Sequence, residues 1–386
     1  MGANGISIFL LVRSLEAGGA ERQLVELARG LHRRGHVVTV AVFYKRGPLL
    51  DDLERAGVPV IDLRKRGRWD LVGFMARTVI AIRRARPDIV YSFLGGANIV
   101  ASVARLFVPP MTMVWSIRSS NMDLARYDWL HKVAYSLECR LSRTADLIIS
   151  NSHTGRDFAV NHGFPPDRIQ IVPNGIDTER FRPEPKLRQR QRIEWALTDQ
   201  QIAVGVLARL DPMKGHKIFL EAAARLTVID RDMRFFILGA GPEEDYLRRL
   251  AADLRLTDIL TFAGPIHHSE MALNGLDICC SSSVFGEGFS NSIAEAMACG
   301  VPCVVTEVGD SASIVGDTGE IVAPSDPDAL AQAILSLRAK LYDGFKQRAS
   351  RRINELYSVG SMLDRTIATL LKAGVVRLES TFEARP

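Results

Sequence analysis

Cysteine is scarce. The five residues, at 139, 279, 280, 299 and 303, form no CxxC pair and accompany no histidine cluster, so neither a disulfide framework nor a zinc site is indicated. They read as buried thiols. No apolar run approaches the roughly 20 residues that cross a bilayer, and the first residues lack the charged segment, long apolar segment and small-residue cleavage site of a secretory leader. The chain therefore reads as cytosolic. Aromatic residues are 7% of the whole and are not interleaved with the positive charge, which sets nucleic acid aside as a partner.

What is present is a globular composition, 47% hydrophobic and 24% charged over 386 residues, too long for one ordinary core. Two domains are expected. The net charge of +5 is unevenly placed: residues 1–178 hold 24 Lys and Arg against 16 Asp and Glu, and the remainder holds 25 against 28. A basic half attracts anionic headgroups or phosphorylated small molecules, or is simply a solvated positive face.

Apolar runs at 6–12, 37–43, 88–93, 112–117, 147–150 and 169–172 have the length of strands buried on both faces. Segments of helical spacing separate them, from Leu24 to Leu31, 71–82, 97–107, 130–141 and from Thr154. Regular alternation means a parallel sheet. Residues 180–192, with two prolines, six Lys or Arg and no apolar period, read as a linker. Strand candidates recur at 202–207, 235–238, 259–262, 278–281 and 302–305, with helices from Gly215, Glu243 and Asn291. The expected fold is α/β, two doubly wound Rossmann-like domains facing across a cleft. The divisions are 1–178, a linker 179–195, a second domain 196–358, a packing helix 359–376 and a tail 377–386.

Three constellations can carry chemistry. Gly18-Gly19-Ala20-Glu21, between the first strand and first helix, lets backbone N–H groups approach a phosphate, or is an ordinary tight turn. Its spacing is not GxGxxG, and Gly239-Ala240-Gly241-Pro242 is a weaker signal of the same kind. Arg209 and Lys214 flank a short loop after the second domain's first strand, where a planar donor fork and a point charge can neutralise a diphosphate. Glu287 and Glu295 stand eight positions apart, the first in a glycine-flanked loop and the second in the helix that follows, with Ser290, Asn291 or Ser292 as its cap. They are either a sugar and ribose pair or two solvated acids; the apolar residues around Glu295 argue against simple exposure.

With these residues the chain resembles the retaining GT-B glycosyltransferases, most closely glycosyltransferase family 4, the glycosyl transferases group 1 type. The resemblance covers nearly the whole chain. It rests on Gly18-Gly19-Ala20-Glu21-Arg22, Ser150-Asn-Ser152, Val172-Pro-Asn-Gly-Ile-Asp177, Arg209 with Lys214-Gly215, Gly239-Ala-Gly-Pro242, and the Glu287/Glu295 pair before Ala296-Met-Ala-Cys-Gly-Val-Pro302. The family implies a nucleotide-sugar donor, UDP being the commoner base, and a glycan or lipid-linked acceptor of the bacterial envelope. It also implies transfer with retention and without a divalent metal or other cofactor. Arg209 and Lys214 are then expected on the diphosphate, Glu295 on the ribose, and Glu287 on the transferred sugar. Gly18, Gly19, Gly288, Phe289, Ser290 and Asn291 are expected to contact phosphate or sugar hydroxyls. Many members carry a histidine after the strand equivalent to 88–93, but Ser92-Phe-Leu-Gly-Gly96-Ala-Asn98 has none. Ser92, Asn98, Arg118 and Asn121 are the expected acceptor side.

Arg64, Lys65, Arg66 and Arg68, followed by Arg77, Arg83, Arg84 and Arg86, suit either an anionic membrane surface or plain solubility. A cytoplasmic enzyme, peripheral on the inner face of a membrane, is the expectation. A sugar-nucleotide epimerase and a non-catalytic nucleotide-sugar-binding protein are the rivals.

Overall fold

The computed structural model describes residues 5–16, 18–118, 129–341 and 344–373. The chain divides into two compact units, residues 1–175 with 359–386, and residues 176–358. The tail 377–386 and Asn121 lie outside the described residues.

In the first unit seven strands form one parallel sheet: β1 (Ser7–Val12), β2 (Val37–Val42), β3 (Val60–Asp62), β4 (Ile89–Phe93), β5 (Thr112–Ile117), β6 (Leu147–Ser150) and β7 (Ile169–Ile171). Their spatial order is β3-β2-β1-β4-β5-β6-β7. Both faces are covered: Ile8, Leu10 and Val12 of β1 join one apolar cluster, while Phe9 and Leu11 join another on the opposite side. This two-sided burial is why the strands read as unbroken apolar runs. The final helix, Val359–Lys372, belongs to this unit. Its Met362, Leu363 and Leu370 enter the same cluster as Leu24, Leu27 and Leu31 of the helix Gly19–Arg33. Gly30 makes the approach possible, since a Cβ there would run into Leu363.

The second unit repeats the plan with six parallel strands: β8 (Ile202–Leu207), β9 (Met233–Leu238), β10 (Leu260–Gly264), β11 (Ile278–Ser281), β12 (Cys303–Thr306) and β13 (Glu320–Val322), in the order β10-β9-β8-β11-β12-β13. Four of the five cysteines, Cys279, Cys280, Cys299 and Cys303, are buried as thiols, and burial pushes Cys280 and Cys303 well above the ordinary thiol range.

The stretch expected as a linker carries a helix, Pro185–Glu194. Lacking an apolar stripe, it is held by charge: Arg188 Nη2 and Arg192 Nη1 donate to the two oxygens of Asp277 at 2.7 and 3.0 Å. Asp277 also accepts from the backbone N–H of Ala203 at 2.9 Å, tying this helix to the amino ends of β8 and β11. The short edge strands β3 and β13 also escape an apolar-run reading, because each is three residues with an acid among them.

Asp277 and Arg192 have side chains only 5% and 8% exposed, so removing one partner strands the other in a dry site. Asp277→Ala is expected to lower stability by about 3–5 kcal/mol, read as a fall in the urea midpoint. An unchanged midpoint means that the helix does not depend on this acid.

Candidate active site

In a doubly wound sheet ligands bind outside the carboxyl ends of the strands, where the winding reverses. The reversal falls between β8 and β11 in the second unit and between β1 and β4 in the first.

At the carboxyl ends of β8 and β11 two loops are laced together. Ser282 donates from its hydroxyl to the Lys214 carbonyl at 2.9 Å, and the Val284 N–H donates to the Met213 carbonyl at 2.9 Å. Gly215 sits at φ +61° against the Ser282 carbonyl, leaving no room for a Cβ. The lacing brings Lys214 Nζ onto Glu287 Oε1 across 73 residues of sequence. Ser283 adds a 2.7 Å hydrogen bond to the same oxygen. With side-chain exposures of 21% and 8%, this is a largely desolvated ion pair. Thr306 supports it from β12, donating to the Ser283 carbonyl at 2.6 Å.

Arg209 stands at the rim, 67% exposed, and its Nη2 donates to Asp211 at 2.5 Å. Asp211 in turn accepts from the Met213 N–H at 3.2 Å and so shapes the turn that presents Lys214. The helix Asn291–Ala298 begins at Ser290, whose side chain makes no capping hydrogen bond, contrary to one of the caps expected from Ser290, Asn291 or Ser292. The Ser290 and Ser292 hydroxyls face each other at 3.4 Å instead. Glu295 is 6% exposed on that helix, which rules out the solvated reading, and Phe289 is buried against Tyr357. Gly288 accepts the Asp310 N–H at 3.0 Å. Gly239 and Gly241 serve packing: Cβ atoms there would strike the Ala208 and Leu210 carbonyls.

In the first unit Gly18 and Gly19 open the helix Gly19–Arg33 beside β1, and the Glu21 carboxyl rests against Gly18. Burial raises the Glu21 pKa, and Glu16 adds to the rise. Ser92 and Asn98, expected to offer polar contacts on the acceptor side, are both fully buried and bonded to each other at 2.7 Å. Asn98 then donates to Glu138 at 2.9 Å, a residue that sequence reasoning passed over. Arg118 stacks on Phe93 at 5.0 Å and donates to Ser116 at 2.7 Å and to Asn174 at 2.5 Å, so it ties the ends of β5 and the loop after β7 together.

Sequence reasoning also passed over Ser283, Asp211 and His216. The first two stand four and two positions from a named site residue, a spacing that could have found them. His216 begins the helix His216–Ile229 with both ring nitrogens buried and unpartnered among the described residues. Burial, with Lys214 adding to it and Asp211 opposing, lowers its pKa to about 4. It is neutral in the folded protein at pH 7. The depressed value means that the unfolded chain binds more protons between pH 6.5 and 4, so this contribution is complete above pH 6.5 and lost as the pH falls toward 4. The full loss is about 3 kcal/mol. His216→Leu is expected to flatten the pH dependence of the urea midpoint over that interval; parallel wild-type and variant curves would refute a neutral buried imidazole.

Comparison with known proteins places this arrangement. Residues 201–340 match the family described as Glycosyl transferases group 1, and residues 17–180 match Glycosyltransferase Family 4. The chain is 33% identical over 374 residues to a D-inositol 3-phosphate glycosyltransferase of Acidothermus cellulolyticus, covering 87% of this chain and 82% of the relative. It is 32% identical over 213 residues to the GDP-mannose-dependent alpha-(1-6)-phosphatidylinositol monomannoside mannosyltransferase of Mycolicibacterium smegmatis, 52% of this chain and 55% of that protein. In fold it is similar to the crystal structure of Anabaena Alr3699/HepE in complex with UDP, with a TM-score of 0.84, 21% identity, and coverage of 95% of this chain and all of the other (100%). The chain belongs to glycosyltransferase family 4, the glycosyl transferases group 1, and its two Rossmann-like domains are those of the GT-B enzymes.

Proposed function

We propose that the protein is a retaining glycosyltransferase that moves a sugar from a UDP-sugar to a hydroxyl of a lipid-linked glycan in bacterial envelope synthesis, working on an anionic membrane surface. The Lys214–Glu287 pair at the β8/β11 reversal carries this reading. A diphosphate bound there finds Lys214, Arg209 and the amino end of the helix Asn291–Ala298, three sources of positive potential that stabilise the charge developing on a leaving phosphate. The bond from the anomeric carbon to the phosphate oxygen breaks, and the acceptor oxygen bonds to that carbon from the same face. The hydroxyl proton passes to the departing phosphate. Glu287, held in place by Lys214 and Ser283, faces the positive charge on the sugar, and Glu295 receives the ribose hydroxyls. Position and electrostatics supply the rate in this scheme, so no side chain has to exchange a proton. The reading also fits the named activities of the relatives, one of which acts on a phosphatidylinositol mannoside with GDP-mannose. It is favoured over epimerisation, which leaves a basic, acceptor-type unit without a use.

The membrane part rests on a surface of the first unit. On the helix Val72–Ala85, Val72, Ala76 and Ile80 share the exposed face, with Arg83 and Arg84 at its end. Before it stand Trp69, 85% exposed, and Leu71, with exposed Arg64, Arg66 and Arg68. A merely solvated face has no use for exposed Trp69, Leu71 and Val72 among its cations, whereas an interfacial surface needs both kinds of residue. No helix among the described residues is long and apolar enough to cross a membrane.

Calorimetric titration with UDP and with GDP tests the donor site. Selective binding of UDP is expected, weakened on the order of 10²- to 10⁴-fold in Arg209→Ala/Lys214→Ala, the worth of two charged hydrogen-bond donors. Equal affinity in a folded variant sinks the assignment; tighter binding of GDP corrects the base alone. Flotation with phosphatidylglycerol vesicles tests the membrane surface. Partitioning is expected to fall on the order of 10²-fold when Arg64, Arg66 and Arg68 become Ala, at about 1 kcal/mol per cation. Equal flotation with neutral phosphatidylcholine vesicles removes the electrostatic attraction from the proposal.

A further inference from the structure

The first unit has its own reversal of winding, between β1 and β4, and a carboxyl group is built into it. Leu94, directly after β4, holds φ +73° and ψ +156°, a conformation that side-chain-bearing residues rarely adopt and that costs on the order of the strain stored at functional sites. The bend starts the helix Gly95–Arg105 at a pair of glycines. Glu138, on the neighbouring helix Trp129–Leu141, lays its carboxyl against Gly95, and a Cβ at that position would collide with its Oε2. From behind, Ser92 of β4 donates to Asn98 Oδ1 at 2.7 Å, and Asn98 Nδ2 donates to Glu138 Oε1 at 2.9 Å. Ser92 and Asn98 are both fully buried, so the chain of bonds has a single outlet, the half-buried Glu138.

A carboxylate taken partly out of water is costly unless something compensates it. Among the described residues no cation pairs with Glu138, and its one hydrogen bond is that from Asn98. Two fixed, buried residues, a glycine and a strained turn thus hold one acid whose second oxygen is uncommitted.

We propose that Glu138 receives the acceptor in this unit, its Oε2 accepting the hydrogen bond that orients the attacking sugar or polyol hydroxyl. The proposal rests on the glycosyl-transfer reading given above and places a carboxyl beside the segment in which many members of the family carry a histidine. Glu138 takes no proton in the reaction; the proton leaves with the nucleotide phosphate. Ser92 and Asn98 are positioning residues that fix the direction in which Oε2 points.

Only the ionised acid is an acceptor at both oxygens at once, from Asn98 at Oε1 and from the substrate hydroxyl at Oε2, so acceptor use falls as pH falls through the Glu138 pKa. Burial raises that value above the ordinary one, with the Asn98 hydrogen bond opposing. The titratable groups beside it are Tyr135 and Cys139 of its own helix, both pushed upward by burial and neutral in this range. The helix Gly95–Arg105 brings Gly95 and Asn98 to it, and its one charged residue, Arg105, is at the far end, paired with Asp146.

The test uses the full chain with UDP-glucose and GDP-mannose as donors and octyl α-glucoside, octyl α-mannoside and myo-inositol 1-phosphate as acceptor probes. For the best wild-type pair, Glu138→Gln is expected to raise the acceptor KM at least about tenfold, the loss of one charged hydrogen bond. Nucleotide affinity by calorimetry stays at the wild-type value, and the acidic limb of kcat/KM for the acceptor disappears. Glu138→Asp, which keeps the charge but withdraws it by one methylene, gives an intermediate KM and retains the limb, and it carries the test should the glutamine variant fail to fold. A wild-type KM and acidic limb in a folded Glu138→Gln protein overturns the role of Glu138 alone. A wild-type protein that releases nucleotide from neither donor overturns the transfer reading on which the role rests.

Discussion

Each sheet reverses its winding once, and at that point the crossover helices leave toward opposite faces, so no connection covers the carboxyl ends of the two central strands. The gap must be lined by loops, and in the second unit the loops after β8 and β11 do so by bonding to each other through Ser282, Val284, Met213 and Lys214. Everything chemical follows from that lacing. Lys214 and Glu287 meet because their backbones are locked side by side, and Gly215 is required because the Ser282 carbonyl fills the space a side chain needs.

The Lys214–Glu287 pair has a second consequence. Either charge alone in so dry a place is expensive, whereas the pair offsets that cost and holds the two loops in shape. In the proposed reaction an incoming diphosphate meets a lysine already positioned by Glu287, beside the amino end of the helix Asn291–Ala298. Little has to reorganise, which is the condition under which fixed charges stabilise a developing one.

How much of this was legible in the sequence depends on which force makes each element. The central strands could be read because burial on both faces leaves an apolar run: β5 and β11 fall at the positions that their residues announce. The helix Pro185–Glu194 could not, since its partner Asp277 lies more than 80 residues away and its own stripe is charged. Arg209, Lys214, Glu287 and Glu295 were legible as a constellation of residue types beside glycines. The pairing of Lys214 with Glu287 was not, because it is a property of two laced loops. Ser92 and Asn98 were read as outward contacts on position alone; their complete burial turns them inward, and the group that reaches the surface, Glu138, belongs to a helix 40 residues further on.

The two reversals differ in the charge they keep. The second unit places cations at its gap, Lys214 inside and Arg209 at the rim, as a multiply charged anion demands. The first unit, although it carries the excess of Lys and Arg, puts Arg64, Arg66, Arg68, Arg83 and Arg84 on an exposed surface and puts a carboxyl at its gap. A neutral polyol needs hydrogen-bond acceptors of fixed direction, not a counter-charge, and in the proposed acceptor role Glu138 braced by Asn98 is one. On the proposed reading, net charge by domain describes the surface a unit would rest on, while the sign of the one or two groups held at the strand ends describes the ligand it would take.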